Sequence, residues 1–239
     1  SWNEAHRRAR TRLTMPLLIK ICGLRTPDAL EAALAAGADM VGFVFFPPSP
    51  RNIGVEAART LGERVQGRAQ KVALSVNATN AELDLAVEAL KPDALQLHGT
   101  ETPERVGAVR SRYRLPVIKA LPIEKRADLS SIRIYARVAD RLLFDARPPR
   151  KATRPGGLGR TFDWHLLEGV NPGVPFMLSG GLDAENVAEA LRITRAPAVD
   201  VSSSVEHAPG VKDPEKIREF IRAARAADSG LSGKLRSTA

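Results

Sequence analysis

Cysteine is nearly absent: one residue, Cys22, in a chain of 239. A single thiol excludes an internal disulfide and a cysteine-built metal cluster. A chain this long buries a core large enough to do without such staples, and a reducing, cytoplasmic setting is expected. Aromatic residues are scarce, with two Trp, two Tyr and seven Phe. They are too few for a stacking surface on nucleic acid. No apolar run approaches the roughly 20 residues that cross a bilayer. No Gly-x-Gly-x-x-Gly follows the first apolar run, and no Walker-type loop occurs anywhere, so the common dinucleotide and nucleotide fingerprints are missing. Acidic residues are outnumbered, 27 Asp and Glu against 36 Lys and Arg, for a net charge of +9. That excess suggests an acidic partner, with nucleic acid, an anionic membrane and a small anionic substrate all open.

What is present has an ordinary globular composition, 44% hydrophobic and 26% charged. The length allows two small domains or one large α/β barrel. Residues 1–14 (SWNEAHRRARTRLT) carry a net +3 and no apolar core of the kind a secretory signal needs. Met15 directly precedes the first apolar run, so residues 1–14 are expected to be a leader or a non-native extension. Residues 228–239 (DSGLSGKLRSTA) are small and polar and are expected to form a disordered tail. The two ends hold +3 and +1 of the charge, leaving +5 on residues 15–227.

Between the ends the chain alternates. Short apolar runs near Leu17–Gly23, Met40–Phe46, Lys71–Val76, Ala94–Gly99, Val117–Leu121, Arg141–Ala146, Pro175–Gly181 and Ala198–Val205 have strand length. Helical patterns follow them, near 26–36, 55–65, 81–90, 102–112, 125–138, 162–168, 184–193 and 213–227. Thr26-Pro27 and Thr102-Pro103 are sound helix starts, and Gly37 is a sound stop. Continuous apolar strands alternating with helices mean a parallel sheet covered by helices. Eight such units in about 210 residues predict a single (β/α)8 TIM barrel, with an open doubly wound sheet as the alternative. The segment 147–155 is rich in Arg and Pro and is expected to be a mobile cover.

Polar residues cluster at the ends of the predicted strands. Residues i and i+2 of a strand share a face. Lys20 pairs in this way with Cys22, Gln96 with His98, and Asp200 with Ser202, while Asp145 ends the sixth strand. Active sites of such barrels sit at the C-terminal strand ends, and several charges gathered there call for a charged ligand. Taken singly, each has a plainer reading: Cys22 as a small buried hydrophobe, His98 as a satisfied core histidine, Asp145 as a loop cap. A phosphate site is expected from Gly180 and Gly181 after the seventh strand and Ser202, Ser203 and Ser204 after the eighth, the loops that bind phosphate in many barrels. Glycine there lets backbone N–H groups approach the anion.

The ordered set Lys20-Ile21-Cys22-Gly23, Ser49-Pro50-Arg51, Leu95-Gln96-Leu97-His98-Gly99, Phe144-Asp145, Gly156-Gly157-Leu158-Gly159-Arg160, Leu178-Ser179-Gly180-Gly181-Leu182 and Val199-Asp200-Val201-Ser202-Ser203 resembles the phosphoribosylanthranilate isomerase family over about residues 17–223. The resemblance implies an Amadori rearrangement in tryptophan biosynthesis, from N-(5-phosphoribosyl)anthranilate to 1-(2-carboxyphenylamino)-1-deoxyribulose 5-phosphate, with no cofactor and no metal. It implies Asp145 as general acid and Cys22 as general base. Arg51 is implied at the anthranilate carboxylate, and Lys20, Gln96, His98 and Asp200 as substrate-positioning groups. Lys20 on the face of Cys22 is expected to favour a thiolate. Ser204 stands where the family usually has Gly, and it would be strained if its backbone needed a positive φ. Leu158 replaces a usual small polar residue.

A related histidine-pathway isomerase would carry two Asp, whereas the first strand here ends in Cys22. A nucleic-acid-binding protein would need a motif that is not found, and a silent barrel fits poorly with both Cys22 and Asp145. The expected partner is a small phosphorylated substrate, with no nucleic acid and no membrane. Association with other enzymes of the pathway stays open.

Overall fold

The computed structural model describes residues 16–146 and 156–237. The expected leader over residues 1–14 and the expected cover over residues 147–155 lie outside the described residues. Eight parallel strands close into a barrel in chain order: β1 (Leu18–Cys22), β2 (Met40–Phe45), β3 (Gln70–Ser75), β4 (Ala94–Leu97), β5 (Val117–Ile123), β6 (Arg141–Ala146), β7 (Phe176–Leu178) and β8 (Ala198–Val201). β8 pairs back onto β1, setting Lys20 beside Asp200, and this pairing closes the ring.

Helices pack outside: α1 (Pro27–Ala35), α2 (Val55–Val65), α3 (Asn80–Leu90), α4 (Pro103–Tyr113), α5 (Ile132–Tyr135), α6 (Val187–Thr194) and α7 (Pro214–Ser237). Three begin on a threonine whose hydroxyl accepts a backbone N–H of the first turn: Thr26 from Ala29, Thr79 from Glu82 and Thr102 from Arg105. Each cap satisfies a donor that the helix itself cannot.

The period-two alternation of the strands explains where the chemistry sits. One parity faces the helices and joins the large core, for example Ile19, Ile21, Val41, Phe43, Leu95, Phe144 and Val199. The other parity fills the barrel in layers. The lowest is apolar, built from Met40, Val72, Ala94, Ile118, Leu143, Met177 and Ala198. Two residues further along the same strands stand Gly42, Leu74, Gln96, Asp145, Ser179 and Asp200, with Lys20 following Leu18 on β1. The apolar floor holds the ring shut, and the polar residues share its interior face above that floor.

Four expectations are corrected. The helix expected over 125–138 is a 3-10 turn (Arg126–Ser131) followed by the single turn of α5, and the helix near 162–168 is a 3-10 turn (Trp164–Leu167). The last barrel strand ends at Val201, because Ser202 leaves the extended region (φ −138, ψ −71) and starts the 3-10 turn Ser203–Val205. An antiparallel hairpin, β9 (Glu206–Ala208) and β10 (Val211–Lys212), then follows. The tail expected to be disordered is helical, since α7 runs on to Ser237. Ala227 and Leu231 continue its apolar face against the core. Asp228 Oδ2 accepts the Leu17 N–H at 3.2 Å, which ties the helix to the start of β1.

Candidate active site

A cavity opens at the C-terminal ends of the strands, with about 800 Å³ of empty space when the open solvent at its mouth is included, and Cys22, Arg51, His98, Asp145, Ser179 and Asp200 all line it. Cys22 ends β1 and Asp145 lies near the end of β6, with β7 and β8 between them around the ring. The two face the cavity from different sides because their strands do.

Lys20 is fully buried. Its Nζ lies 2.7 Å from Asp200 Oδ1, and Asp200 Oδ2 accepts the Ser179 hydroxyl at 3.0 Å. Burial, the largest influence, works against the charge of Lys20. Asp200 and then Cys22 outweigh it and hold the ammonium above its usual range. Gly42 makes room for this arrangement, since a Cβ there would come within 2.8 Å of Cys22 Sγ and 3.2 Å of Lys20 Cε. Lys20 acts on Cys22 in the expected direction, favouring the thiolate by charge and by hydrogen bond, but it does not prevail. Burial dominates and pushes the thiol up, and Asp200 adds to that push, while Lys20 and Lys212 oppose it without reversing it. Lys20 answers first to Asp200.

On the other side, Gln96 Nε2 lies 2.9 Å from His98 Nδ1, and His98 Nε2 lies 3.1 Å from Asp145 Oδ2. Asp145 Oδ1 accepts the Ala146 N–H at 2.8 Å. The carboxyl is therefore held at both oxygens, in a fixed pose beside the cavity. Gln96 Oε1 is buried without a partner.

Arg51 does line the cavity, but its fork is already engaged. Nε meets Glu206 Oε1 at 2.7 Å, Nη2 meets Oε2 at 2.9 Å, and Nη2 also donates to the Gly157 carbonyl at 3.2 Å. Among the described residues, Nη1 is the part of the guanidinium that no hydrogen bond takes. Glu206 binds Lys212 as well, at 2.6 Å from Oε1. Burial alone would raise the Glu206 carboxyl, and the two cations outweigh it and hold it below the usual range. Burial pulls Lys212 down to about 8, against the attraction of Glu206. Sequence reasoning assigned no role to Ser179, Glu206 or Lys212. Ser179 follows Met177 by two residues and could have been found by alternation. Glu206 and Lys212 lie in a short hairpin with no periodic signal.

At the loops after β7 and β8, Gly180 (φ +90) and Gly181 (φ +64) occupy the left-handed region. A Cβ on Gly180 would stand 2.7 Å from Ala146 N and 2.9 Å from Asp145 Oδ1. Among the described residues, no protein oxygen accepts the backbone N–H of Gly181, Ser203 or Ser204. Gly181, Ser202 and Ser203 line the cavity. Ser204 has no positive φ, so the feared strain does not arise. Its hydroxyl donates to the Leu182 carbonyl. Leu158 also lines the cavity, as part of the loop Gly156–Arg160. Among the described residues, no group of three or more His, Cys, Asp or Glu is arranged to hold a metal ion.

Comparison with known proteins places the chain in a family. A family model described as N-(5'-phosphoribosyl)anthranilate (PRA) isomerase matches residues 19–223. A relative from Bradyrhizobium sp. (strain ORS 278), named N-(5'-phosphoribosyl)anthranilate isomerase, is 62% identical over 214 residues, covering 90% of this chain and 98% of its own. The crystal structure of phosphoribosyl anthranilate isomerase from Thermotoga maritima is 35% identical with a TM-score of 0.78, covering 88% of this chain and 99% of its own. A further structure of phosphoribosyl anthranilate isomerase is in complex with reduced 1-(o-carboxyphenylamino)-1-deoxyribulose 5-phosphate. It is 33% identical with a TM-score of 0.76, over 88% of this chain and 99% of its own.

Proposed function

The chain belongs to the N-(5'-phosphoribosyl)anthranilate isomerase family, and from that premise we propose that Asp145 and Cys22 are the acid and base of the isomerisation. The enzyme converts N-(5'-phosphoribosyl)anthranilate to 1-(2-carboxyphenylamino)-1-deoxyribulose 5-phosphate by an Amadori rearrangement in tryptophan biosynthesis. The chemistry asks for a proton at the ribose ring oxygen and removal of the proton on C2. Asp145 delivers the first as the ring C–O bond breaks and an iminium forms. The iminium draws electrons from the neighbouring C–H bond, and Cys22 takes the C2 proton to leave an enolamine. Tautomerisation of the enolamine gives the ketone. No electrons are exchanged with any other molecule, so neither an oxidant nor a reductant is required.

The single observation that carries this reading is the placement of Asp145 and Cys22 on one cavity from strands separated by β7 and β8. The substrate phosphate fits over the loops after those two intervening strands, where no described residue accepts the N–H groups of Gly181, Ser203 and Ser204. Backbone N–H groups serve an anion well there because they bring no competing counter-charge. The substrate's carboxylate meets Arg51 Nη1, a charge-assisted contact on the side where Glu206 leaves the guanidinium free. Lys20 and Asp200 fix each other, and with Ser179 they form the polar layer beneath the base. No helix among the described residues is long and apolar enough to cross a membrane, and we place the enzyme in the cytoplasm, where its single thiol stays reduced.

The test is the fall of the substrate's anthranilate fluorescence on adding purified protein, repeated with Cys22→Ala and Asp145→Asn. Each substitution should cost at least about a hundredfold in kcat, the usual scale for a lost acid or base. Near-wild-type turnover in either variant would remove that residue from its role.

A further inference from the structure

One buried ion pair stands outside the cavity. Lys119 lies on β5 between Ile118 and Ala120, which fill the barrel interior, so its own side chain faces the helix layer. There its Nζ lies 5.7 Å from the centre of the Tyr135 ring, at the end of α5. It meets Glu101 Oε2, from the loop after β4, at 2.7 Å, and both side chains are only 2% exposed. Neither residue lines the cavity. The ammonium also donates to the Gly99 carbonyl at 2.7 Å and to the Leu97 carbonyl at 3.4 Å. The Glu101 carboxylate accepts the Gly99 N–H at 2.9 Å and the Asn77 N–H at 2.8 Å. The His98 N–H goes to the Ser75 carbonyl at 2.9 Å. Both peptide groups flanking His98 are thus tied from behind the barrel wall. Tyr135 Oη donates to the Glu101 carbonyl at 2.8 Å and anchors the pair to α5.

We propose that Lys119 and Glu101 are positioning residues for the isomerisation, pinning the peptide groups on either side of His98 so that its ring meets Asp145. The inference rests on the reading of Asp145 as the acid. His98 Nε2 lies 3.1 Å from Asp145 Oδ2, and a ring on so short a stem follows its backbone. That backbone leaves the sheet here, since the pairing of β4 with β5 ends at Leu97 beside Lys119. Beyond that point the ladder to β5 no longer holds the chain, and the ion pair takes over. A Cβ on Gly99 would come within 2.8 Å of Asn77 N, so glycine there lets the loops after β3 and β4 meet on one carboxylate. A buried ion pair is a weak source of stability, because apolar residues of similar volume often serve as well. Apolar residues could not bind the Leu97 and Gly99 carbonyls or the Gly99 N–H. The pair therefore adds direction to the backbone that carries His98. Direction matters for rate, since a misplacement of about 1 Å caused far from the chemistry can cost about a hundredfold.

Lys119→Met keeps the stem and removes all three donors. It should lower kcat by about fivefold, no more than His98→Ala does, with KM within about twofold of wild type because neither residue of the pair reaches the cavity. The deciding readout is the double-mutant cycle with His98→Ala. With the ring already gone, Lys119→Met should change kcat by less than about twofold. An equal fold-loss in both backgrounds, the mark of a general loosening, would overturn the proposal. So would an unchanged kcat in folded Lys119→Met. Where the carboxylate left alone keeps Lys119→Met from folding, Lys119→Met combined with Glu101→Gln takes its place. That combination leaves no unpaired charge, and Gln keeps an oxygen for the Gly99 and Asn77 N–H groups. The same cycle and the same outcomes then decide. Failure of Asp145 as the acid is a separate result, seen with Asp145→Asn, because the cycle asks only whether Lys119 acts through His98.

Discussion

His98 Nε2 and Asp145 Oδ2 stand 3.1 Å apart, joining the end of β4 to the mouth of β6 across one edge of the cavity. With the Gln96 amide nitrogen facing Nδ1, the tautomer that accepts there presents its Nε2–H to Asp145 Oδ2. In that tautomer the ring orients Asp145, the proposed acid. His98→Ala should lower kcat by about tenfold, the scale of a lost positioning hydrogen bond to a charged group. His98→Gln offers an amide donor from the same strand end and should recover most of the loss. Steady-state kinetics of the two variants decide it, and equal losses in both would argue against orientation by hydrogen bonding.

Gly180 and Gly37 make a matched pair. Their φ values are +90 and +91, but a Cβ on Gly180 would press on Ala146 N and Asp145 Oδ1, whereas Gly37 has nothing within 4 Å. Both Ala substitutions should cost roughly 1–3 kcal/mol in urea unfolding through backbone strain. Gly180→Ala should also lower kcat, by about tenfold, because the carboxyl of Asp145 must shift. Gly37→Ala should leave kcat unchanged. Comparable kcat values in the two variants would show that the close approach at Gly180 does not constrain Asp145.

The alternation of side chains explains why much of this site could be read from the chain. Lys20 with Cys22, Gln96 with His98, and Asp200 with Ser202 obey a local rule of two residues, and each pair lies on one face of one strand. The apolar runs were legible for the same reason, since a strand buried on both faces has no polar phase. What escaped depends on contacts between distant segments. Arg51 is recognisable as a cation, but its fork is taken by Glu206, 155 residues away. Nothing local marks the short hairpin from Glu206 to Lys212 as the other half of that pair. The tail shows the converse: its composition suggests disorder, and Asp228 and Leu231 become informative only once β1 lies beside them.

Glu206 also gives the fold a pH dependence. Its carboxyl is held below its ordinary value of about 4.5 because Arg51 and Lys212 overcome its burial. A carboxylate depressed on folding contributes stability that is present above its unfolded value and is lost as pH falls through its folded value. Glu206→Gln should therefore unfold at lower urea than wild type at neutral pH, with the gap narrowing as pH drops below about 4.5. Urea midpoints measured across that range test it. A gap that stays constant down to acidic pH would mean that the charge of Glu206 is not what stabilises the fold.

Ser204 carries the remaining prediction, because the resemblance leads one to expect glycine there and the serine shows none of the strain such a change suggests. Its φ is not positive, and its hydroxyl is spent on the Leu182 carbonyl, in the loop after β7. The side chain thus braces the loop after β8 against the loop after β7, while no described residue accepts the Ser204 N–H. Ser204→Gly removes the brace and adds backbone freedom, so it should cost about 1 kcal/mol in urea unfolding. KM should stay within about twofold of wild type, since the proposed contact to phosphate is made by the backbone. A rise in stability would mean that the serine is strained after all. A large rise in KM would mean that the brace sets the geometry of the anion site, and that the N–H groups alone do not.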